Sequence, residues 1–277
     1  MPRPITEPVR ASRPPRARSA YGFGTIRVFE RQVRVYAKLW RGSLLSHFAM
    51  PLLFLGAMGL GLGPIVDARS HGVGGVGYLA FIAPGLLAFM VAQTAAGDAL
   101  WPVMAGHKWL GFYHGTVATP IEANEVFSGY MLWLALYTGI IAALFVAAAA
   151  VLGGVESLWA PLAVPAAVLG GLCFAVPFSG FSMNRENDFG FSALLRLVVM
   201  PAAMFSGTFF PVSQLPTGLR SVVLVSPLYH AIELSRASMT GHARSLVAVV
   251  GHVTFLVVVI AVTSLRARAS FRRRLAL

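Results

Sequence analysis

The residues of this chain that could carry out chemistry are few and widely separated. His230 and Glu233 are three residues apart and could share one face of a helix. That pair would offer two ligands to a metal ion, whereas protein metal sites use three or four. A local ion pair between Glu233 and Arg236, at the i, i+3 spacing of a helix, accounts for the acid without a metal. The sequence therefore predicts neither a metal site nor a catalytic residue here.

No motif for nucleotide hydrolysis is present in the sequence. A phosphate-binding loop needs a glycine-rich backbone followed by Lys and then Ser or Thr. The two lysines, Lys38 and Lys108, follow Ala37 and His107 and fit no such loop. We therefore expect no ATP-hydrolysing site in this chain.

Asp98 is an acidic residue inside a long apolar run. An ionisable residue within a membrane segment is a functional hypothesis by default, which here means gating or ion coupling. Close to the membrane surface, the same carboxylate could simply be hydrated. Both interpretations stay open from the sequence.

The composition indicates an integral membrane protein built from helices. Hydrophobic residues make up 57% of the 277 residues and charged residues only 12%, about half the charged fraction of a soluble domain. Several apolar runs exceed the ~20 residues that cross a hydrocarbon core. The runs are continuous and do not alternate in polarity, so they predict helices and not barrel strands.

The apolar runs predict six spans, and the charges predict their orientation. The spans are residues 44–63, 78–103, 126–152, 159–182, 191–207 and 246–265. Ten of the 22 basic residues fall between Arg3 and Arg41, and five fall between Arg266 and Arg274. The positive-inside rule then places both termini and the second and fourth links in the cytoplasm. Basic clusters beside spans predict membrane lipid as a partner, not nucleic acid.

The N-terminal residues divide into two parts ahead of the six-helix domain, residues 42–277. Residues 1–22 are rich in Pro, Arg and Ser and predict a disordered cytoplasmic tail. Residues 23–41 place apolar side chains at helical spacing and basic side chains on the other face. This pattern predicts an amphipathic helix lying in the membrane interface, with a solvated linker helix as the alternative.

Residues 206–245 are too apolar for a solvated loop, and prolines divide them into short pieces. Short broken helices at membrane depth are tolerated where other protein buries them. We therefore predict a re-entrant helical hairpin that enters from the outer side, between the fifth and sixth spans.

Two runs, residues 205–216 and 227–236, resemble the C-terminal signature of type-2 ABC exporter permeases. They are most similar to the branch that includes the nodulation-factor export and daunorubicin-resistance permeases. The signature residues are Ser206, Gly207, Pro211, Pro216, Pro227, His230, Glu233 and Arg236. A weaker resemblance extends over residues 23–265.

The resemblance implies six helices, an interfacial N-terminal helix and an outer re-entrant hairpin. It also implies a dimer of such subunits, for which we expect two copies of this chain, on two separate ATP-binding subunits. ATP and Mg²⁺ would be bound by those partners, and no cofactor by this chain. The expected location is the bacterial inner membrane.

In that family the cytoplasmic link after the second span docks into the ATPase. The matching stretch is residues 106–125, in which Trp109, Phe112 and Tyr113 would supply apolar contacts and Thr119-Pro120 would end the coupling helix. Residues 111–115 are nearly neutral, where relatives usually carry more charge. The alternative is that these aromatic residues belong to an interfacial belt.

The resemblance thus implies the permease subunit of an ATP-driven exporter that moves an amphipathic or lipid-linked substrate by alternating access. Glycolipid, polysaccharide and hydrophobic drug all remain open as substrates. Two other classes are considered: a secondary transporter, supported only by Asp98, and a membrane-embedded enzyme. Residues 184–188 are the only acidic cluster that could serve an enzyme, and they fit a solvated turn.

Overall fold

The computed structural model describes residues 23–70, 75–242 and 245–276, and the predicted tail 1–22 lies outside them. The described residues are helical, with no β-strand among them. The α-helices are α1 (Gly24–Gly56), α2 (Gly63–Ser70), α3 (Tyr78–Met104), α4 (Phe112–Val117), α5 (Ala123–Val151), α6 (Ala163–Met183), α7 (Phe191–Leu194), α8 (Met200–Phe205), α9 (Thr217–Val223), α10 (Pro227–Thr240) and α11 (Leu246–Leu275). Wider π-helical turns lie at Ala57–Leu62, Ala105–Trp109 and Leu195–Val199, and short 3-10 turns at Ala160–Leu162 and Val212–Gln214.

Four helical segments in the described part of the chain are long and apolar enough to cross a membrane. They are Tyr78–Trp109, Ala123–Val151, Ala160–Met183 and Leu246–Leu275, and they correspond to the second, third, fourth and sixth predicted spans. The first and fifth predicted spans correspond to shorter apolar helices, Leu52–Ala68 and Phe191–Phe205. Each of these two segments contains a π-helical turn. Six full-length spans are therefore not confirmed.

The predicted boundary between an interfacial helix and the first span does not coincide with a helix end. Helix α1 continues without a break from Gly24 to Gly56. Its 33 residues reach about 50 Å at 1.5 Å per residue, more than the ~30 Å hydrocarbon core. One helix therefore contains both the amphipathic stretch and the start of the apolar stretch.

Helix α6 lies at the centre, packed on α3, α5, α10 and α11. Two glycines permit this close approach. A Cβ on Gly170 would collide with the Cβ of Ala231 in α10, and one on Gly171 would lie 3.0 Å from Cγ1 of Val91 in α3. Small residues at helix contacts are the usual way for membrane helices to gain van der Waals packing.

The bundle has two distinct ends. At the hairpin end, which we define by residues 152–160 and 206–242, the Glu156 amide donates to the Met239 carbonyl at 2.9 Å. At the basic end, defined by residues 105–122, 184–191 and 266–276, Arg274 donates to Glu186 at 3.2 Å. The chain passes from one end to the other along α3, α5, α6 and α11.

Helix α11 is most buried where it is most basic. Its apolar first part is largely exposed, whereas Ala267, Ser270, Phe271 and Leu275 are buried among the arginines of the last three turns. The spacing 267, 271, 275 places these residues on one helical face. The C-terminal end is therefore an amphipathic helix held by protein contacts.

Candidate functional site

The coupling segment, residues 106–125, lies at the basic end and exposes two large apolar side chains. Trp109 is 53% exposed and Leu110 is 74% exposed. They lie where the π-helical turn after α3 ends, and Gly111, at φ +65°, begins α4. Thr119 and Pro120 are exposed in the turn before α5, where the Thr119 hydroxyl donates to the Thr116 carbonyl at 2.6 Å. Thr119 and Pro120 thus lie in the turn that follows the short helix α4.

Tyr113, which we predicted to supply an apolar contact to the ATPase, points inward in this structure. Its side chain is 1% exposed, and burial raises the pKa of its hydroxyl well above the usual range. A Cβ on Gly106 would lie 2.6 Å from its ring. Phe112 is half-buried, and the Arg31 guanidinium lies 4.0 Å from the centre of its ring. The exposed large apolar side chains of the segment are therefore those of Trp109 and Leu110.

A cluster of aromatic side chains packs the coupling segment against α5 and α11. The Tyr113 and Phe271 ring centres are 6.1 Å apart, and those of Phe127 and Phe271 are 5.4 Å apart. Phe271 is 0% exposed. Phe271 lies near the end of α11 and Phe127 near the start of α5, so α4 packs through this cluster against both helices.

Ion pairs hold the fourth link, which contains residues 184–188, at the basic end. Glu186 forms ion pairs with Lys108 and Arg274, and Arg274 also donates to the Asn184 carbonyl at 3.1 Å. The ammonium of Lys108, and then Arg274, lowers the pKa of Glu186. Asp188 accepts a hydrogen bond from the Trp101 indole at 3.2 Å. The acids of residues 184–188 are thus engaged in contacts that hold the basic end together.

Asp98 lines an open groove along α3. The groove has a volume of about 800 Å³. Its polar lining side chains are Gln93, Thr94 and Asp98, and the other side chains that line it are apolar: Leu53, Phe54, Ala57, Leu86, Phe89, Met90, Leu195, Met200 and Phe209. The Asp98 carbonyl accepts a hydrogen bond from the Tyr130 hydroxyl at 2.7 Å. The groove thus combines a mainly apolar lining with three polar side chains, all from α3.

Arg236 contacts two other signature residues at the hairpin end, Glu233 and Gly207. Its guanidinium pairs with Glu233 at 2.8 Å and donates to the Gly207 carbonyl at 2.7 Å. It also lies 4.3 Å from the centre of the Phe81 ring. The local Glu233–Arg236 pair is therefore present as expected, and Arg236 additionally ties α10 to residue 207 and to the start of α3.

The remaining signature residues shape the backbone around this contact. The Ser206 hydroxyl donates to that of Ser226 at 3.1 Å, and Gly207 has φ +92°, which favours glycine. Pro211 precedes a 3-10 turn, Pro216 precedes α9, and Pro227 is the first residue of α10. These positions suit proline because they need no helical amide donor.

His230 and His252 face each other, a pairing that the sequence did not predict. Their Nδ1 atoms are 2.7 Å apart, and His230 Nε2 lies 2.9 Å from the Leu224 carbonyl. The His230 ring stacks on Phe255 at 3.9 Å. Because the two histidines are 22 residues apart and lie on different helices, only the fold brings them together. No group of three or more metal-ligating side chains occurs in the part of the chain that the structure describes.

Replacing Arg236 with methionine is expected to lower the free energy of unfolding by about 3 kcal/mol, since it leaves the largely buried Glu233 and the Gly207 carbonyl without their donor. Thermal unfolding in detergent measures the change. Arg220→Met is the matched control, because Arg220 is exposed in the same hairpin. Equal losses from the two variants would contradict a stabilising role for the Arg236 contacts.

Comparison with known proteins gives a consistent match along the chain. A family model described as ABC-2 type transporter matches residues 25–240. Nodulation protein J of Rhizobium leguminosarum bv. trifolii is 32% identical over 251 residues, covering 90% of this chain and 93% of the relative. Nodulation protein J of Rhizobium meliloti (strain 1021) is 29% identical, covering 92% and 95%. The protein of the same name from Bradyrhizobium diazoefficiens is 28% identical, covering 90% and 92%.

Proposed function

The chain belongs to the ABC-2 type transporter family, and on that premise we propose that it is the membrane-spanning subunit of an ATP-driven exporter. Separate subunits bind ATP and Mg²⁺ and carry out hydrolysis. The family match over residues 25–240 carries this proposal. The relatives come from bacteria, which supports a location in the bacterial inner membrane.

We infer that Trp109 and Leu110 dock into the ATPase, supported by Phe112. Exposed Trp and Leu side chains at the end of a span would make a compact apolar contact with a partner. The basic end also carries six arginines among the described residues, against two at the hairpin end, and the positive-inside rule supports its cytoplasmic location. The docking pair is therefore proposed to face the compartment that holds ATP. The same charges support contact with anionic lipid.

We propose that the chain crosses the membrane six times, with both termini in the cytoplasm. The two shorter apolar segments support this topology. Arg31 of α1 contacts Phe112 at the basic end, while Phe54 of α1 lies 6.2 Å from Phe209 at the hairpin end. Likewise, Phe191 packs on Trp101 at 5.6 Å, and Ser206 at the other end of that segment bonds Ser226. On this topology, α9 and α10 form a re-entrant hairpin on the outer side.

The topology can be tested by labelling single cysteines in intact cells. In a Cys173→Ala background, Leu158→Cys at the hairpin end is expected to react with an impermeant maleimide from outside. Phe189→Cys, at the basic end, is expected to react only after permeabilisation. Both side chains are highly exposed, so both positions are accessible to the reagent. The opposite labelling pattern would overturn the proposed orientation, and equal labelling of both would overturn the separation of the two ends.

We propose that the groove beside Asp98 forms part of the path for an amphipathic or lipid-linked substrate, between two copies of the chain. Its apolar walls suit acyl or other hydrophobic groups, and Gln93, Thr94 and Asp98 suit a polar head. Partner-driven alternating access would then expose this path to each side in turn. Asp98 is the proposed gating residue, because it is the ionisable side chain among those lining the groove.

Asp98 also supports the alternative of an ion-coupled transporter, which needs no ATPase. The two functions are separated by purifying the chain through a tag from cells that express candidate ATPase subunits. The exporter proposal expects an ATP-binding subunit in the complex. A well-folded chain that retains no such subunit, with transport abolished by Asp98→Asn and dependent on an ion gradient, would favour the alternative.

A further inference from the structure

Glu186 joins the coupling segment to two other parts of the basic end. It lies in the fourth link, and its carboxylate accepts hydrogen bonds from Lys108 and from Arg274. Lys108 directly precedes Trp109 in the π-helical turn after α3, whereas Arg274 lies in the last turn of α11. Among the residues that the structure describes, no other acid forms an ion pair with the coupling segment.

Glu186 is thereby placed beside the proposed docking pair, Trp109 and Leu110. Both side chains of this pair are exposed, so burial within this chain does not fix their direction. The Leu110 amide donates to the Ala105 carbonyl at 2.8 Å and closes the turn that presents the pair. On the exposed side of the same turn, Glu186 holds the ammonium of Lys108. The ion pair therefore restrains the turn at the residue next to the docking pair.

The link that carries Glu186 continues into the short apolar segment Phe191–Phe205. The Phe191 amide donates to the Asp188 carbonyl at 3.0 Å, and the Phe191 side chain is fully buried. One turn further along the chain, Leu195 lines the proposed substrate groove. Glu186 thus lies between the docking pair and one wall of that groove.

The exposure of the three charged side chains argues against a mainly stabilising role for the ion pairs. Lys108 and Arg274 are each 38% exposed, and Glu186 is 69% exposed. Ion pairs at this exposure contribute little to the free energy of unfolding. They also break and reform at low cost, whereas a buried pair would leave an uncompensated charge when it opens. Such a contact is suited to a segment that moves.

We propose that Glu186 is a positioning residue: through Lys108 it orients the docking pair, and through the fourth link it transmits movement of that pair to the groove-lining segment. The inference rests on the proposed function, because the movement comes from the ATP-binding subunit. Arg274 holds the other oxygen of the carboxylate and ties the link to α11. In this role Glu186 contacts neither ATP nor the transported substrate.

The first test uses the full chain alone in nanodiscs and measures backbone hydrogen exchange. Glu186→Gln is expected to raise exchange about threefold in residues 106–118 and 184–190, since both lose a restraint, with little change in thermal unfolding. Glu30→Gln is the matched control, because it removes another exposed ion pair, with Arg34 in α1. Equal exchange in the wild type and Glu186→Gln would overturn the positioning role.

A second set of variants tests whether Glu186 acts through Lys108. Lys108→Met is expected to raise exchange in the coupling segment as much as Glu186→Gln does. The combined variant is expected to add nothing in that segment, because the two changes remove one contact. Glu186→Asp keeps the charge and is expected to recover at least half of the protection. Additive effects, or no recovery by Glu186→Asp, would overturn action through this ion pair.

Transmission is tested in the complex with the candidate ATPase subunit. Glu186→Gln is expected to keep the affinity of that subunit within about threefold, since the docking pair is intact. The rise in hydrolysis of magnesium ATP over the isolated ATPase is expected to fall about tenfold, and Glu30→Gln is expected to retain it. An undiminished rise in Glu186→Gln would overturn transmission. If the wild-type chain binds no ATPase, the proposed function fails instead, and hydrogen exchange on the chain alone still decides whether Glu186 positions the segment.

Discussion

Replacing Trp109 and Leu110 together with alanine is expected to weaken binding of the ATPase subunit at least about 100-fold. The two side chains are 53% and 74% exposed at the basic end, and burying them against a partner would contribute a few kcal/mol. Aromatic residues at the centre of an interface commonly contribute about 2 kcal/mol or more each. The measurement is the affinity of the purified chain for its ATPase subunit, together with the ATP hydrolysis of the complex.

The chain supplies a matched control for this experiment. Leu158 and Trp159 are the same two residue types, adjacent and exposed at the hairpin end. The double alanine variant there removes similar apolar area and is expected to leave ATPase binding unchanged. Equal losses from the two double variants, or no loss from either, would contradict docking through Trp109 and Leu110.

Phe271→Ala is expected to uncouple ATP hydrolysis from the chain while leaving the docking pair in place. The side chain is fully buried between Tyr113 of the coupling segment and Phe127 of α5, so its removal leaves a cavity that costs about 3 to 5 kcal/mol. The coupling segment then loses its main support from α11. We expect the ATPase still to bind, but hydrolysis to lose most of its dependence on the chain's conformation, measured as substrate-stimulated or lipid-stimulated turnover.

General destabilisation is separated from loss of support by a second buried residue on the same helix. Leu256 is fully buried in the half of α11 nearer the hairpin end, and Leu256→Ala is expected to lower stability by a similar amount. It should nevertheless retain coupling in the folded fraction. Phe271→Leu should recover much of the coupling, because it fills part of the cavity. Uncoupling of the same size by Leu256→Ala would contradict a specific role for Phe271.

The long spans could be predicted from the sequence because length and hydropathy alone identify them. Helices α3, α5, α6 and α11 each contain an uninterrupted apolar stretch. The first and fifth segments were harder to predict. In α1 the basic half and the apolar half form one continuous helix, and the segment after residue 190 changes to a π-helical turn at Leu195. Composition cannot locate such local changes in helical winding.

The exposed residues of the coupling segment could be predicted only in part. Trp109 was among the residues predicted to contact the ATPase. The direction of the Tyr113 side chain, however, depends on Gly111, whose positive φ sets how the six-residue helix α4 begins. A helix this short has no periodicity from which to predict its buried face. Leu110 was missed because the aromatic residues beside it gave the stronger signal.

Two contacts of the basic end were missed for different reasons. The spacing of Ala267, Phe271 and Leu275 is helical and was visible in the sequence, but the surrounding arginines suggested only a lipid-facing terminus. The ion pairs of Glu186 with Lys108 and Arg274 join residues 78 and 88 positions apart. No local pattern could have indicated them, because they depend on the packing of two links against the end of α11.

The exporter function is tested most directly by vanadate-sensitive ATP hydrolysis by the chain reconstituted in liposomes with its candidate ATPase subunit. We expect that the complex hydrolyses ATP, that the chain alone does not, and that the Trp109→Ala, Leu110→Ala variant returns hydrolysis to the level of the isolated ATPase. Hydrolysis unaffected by the presence of this chain would contradict its role as the membrane subunit of an ATP-driven exporter.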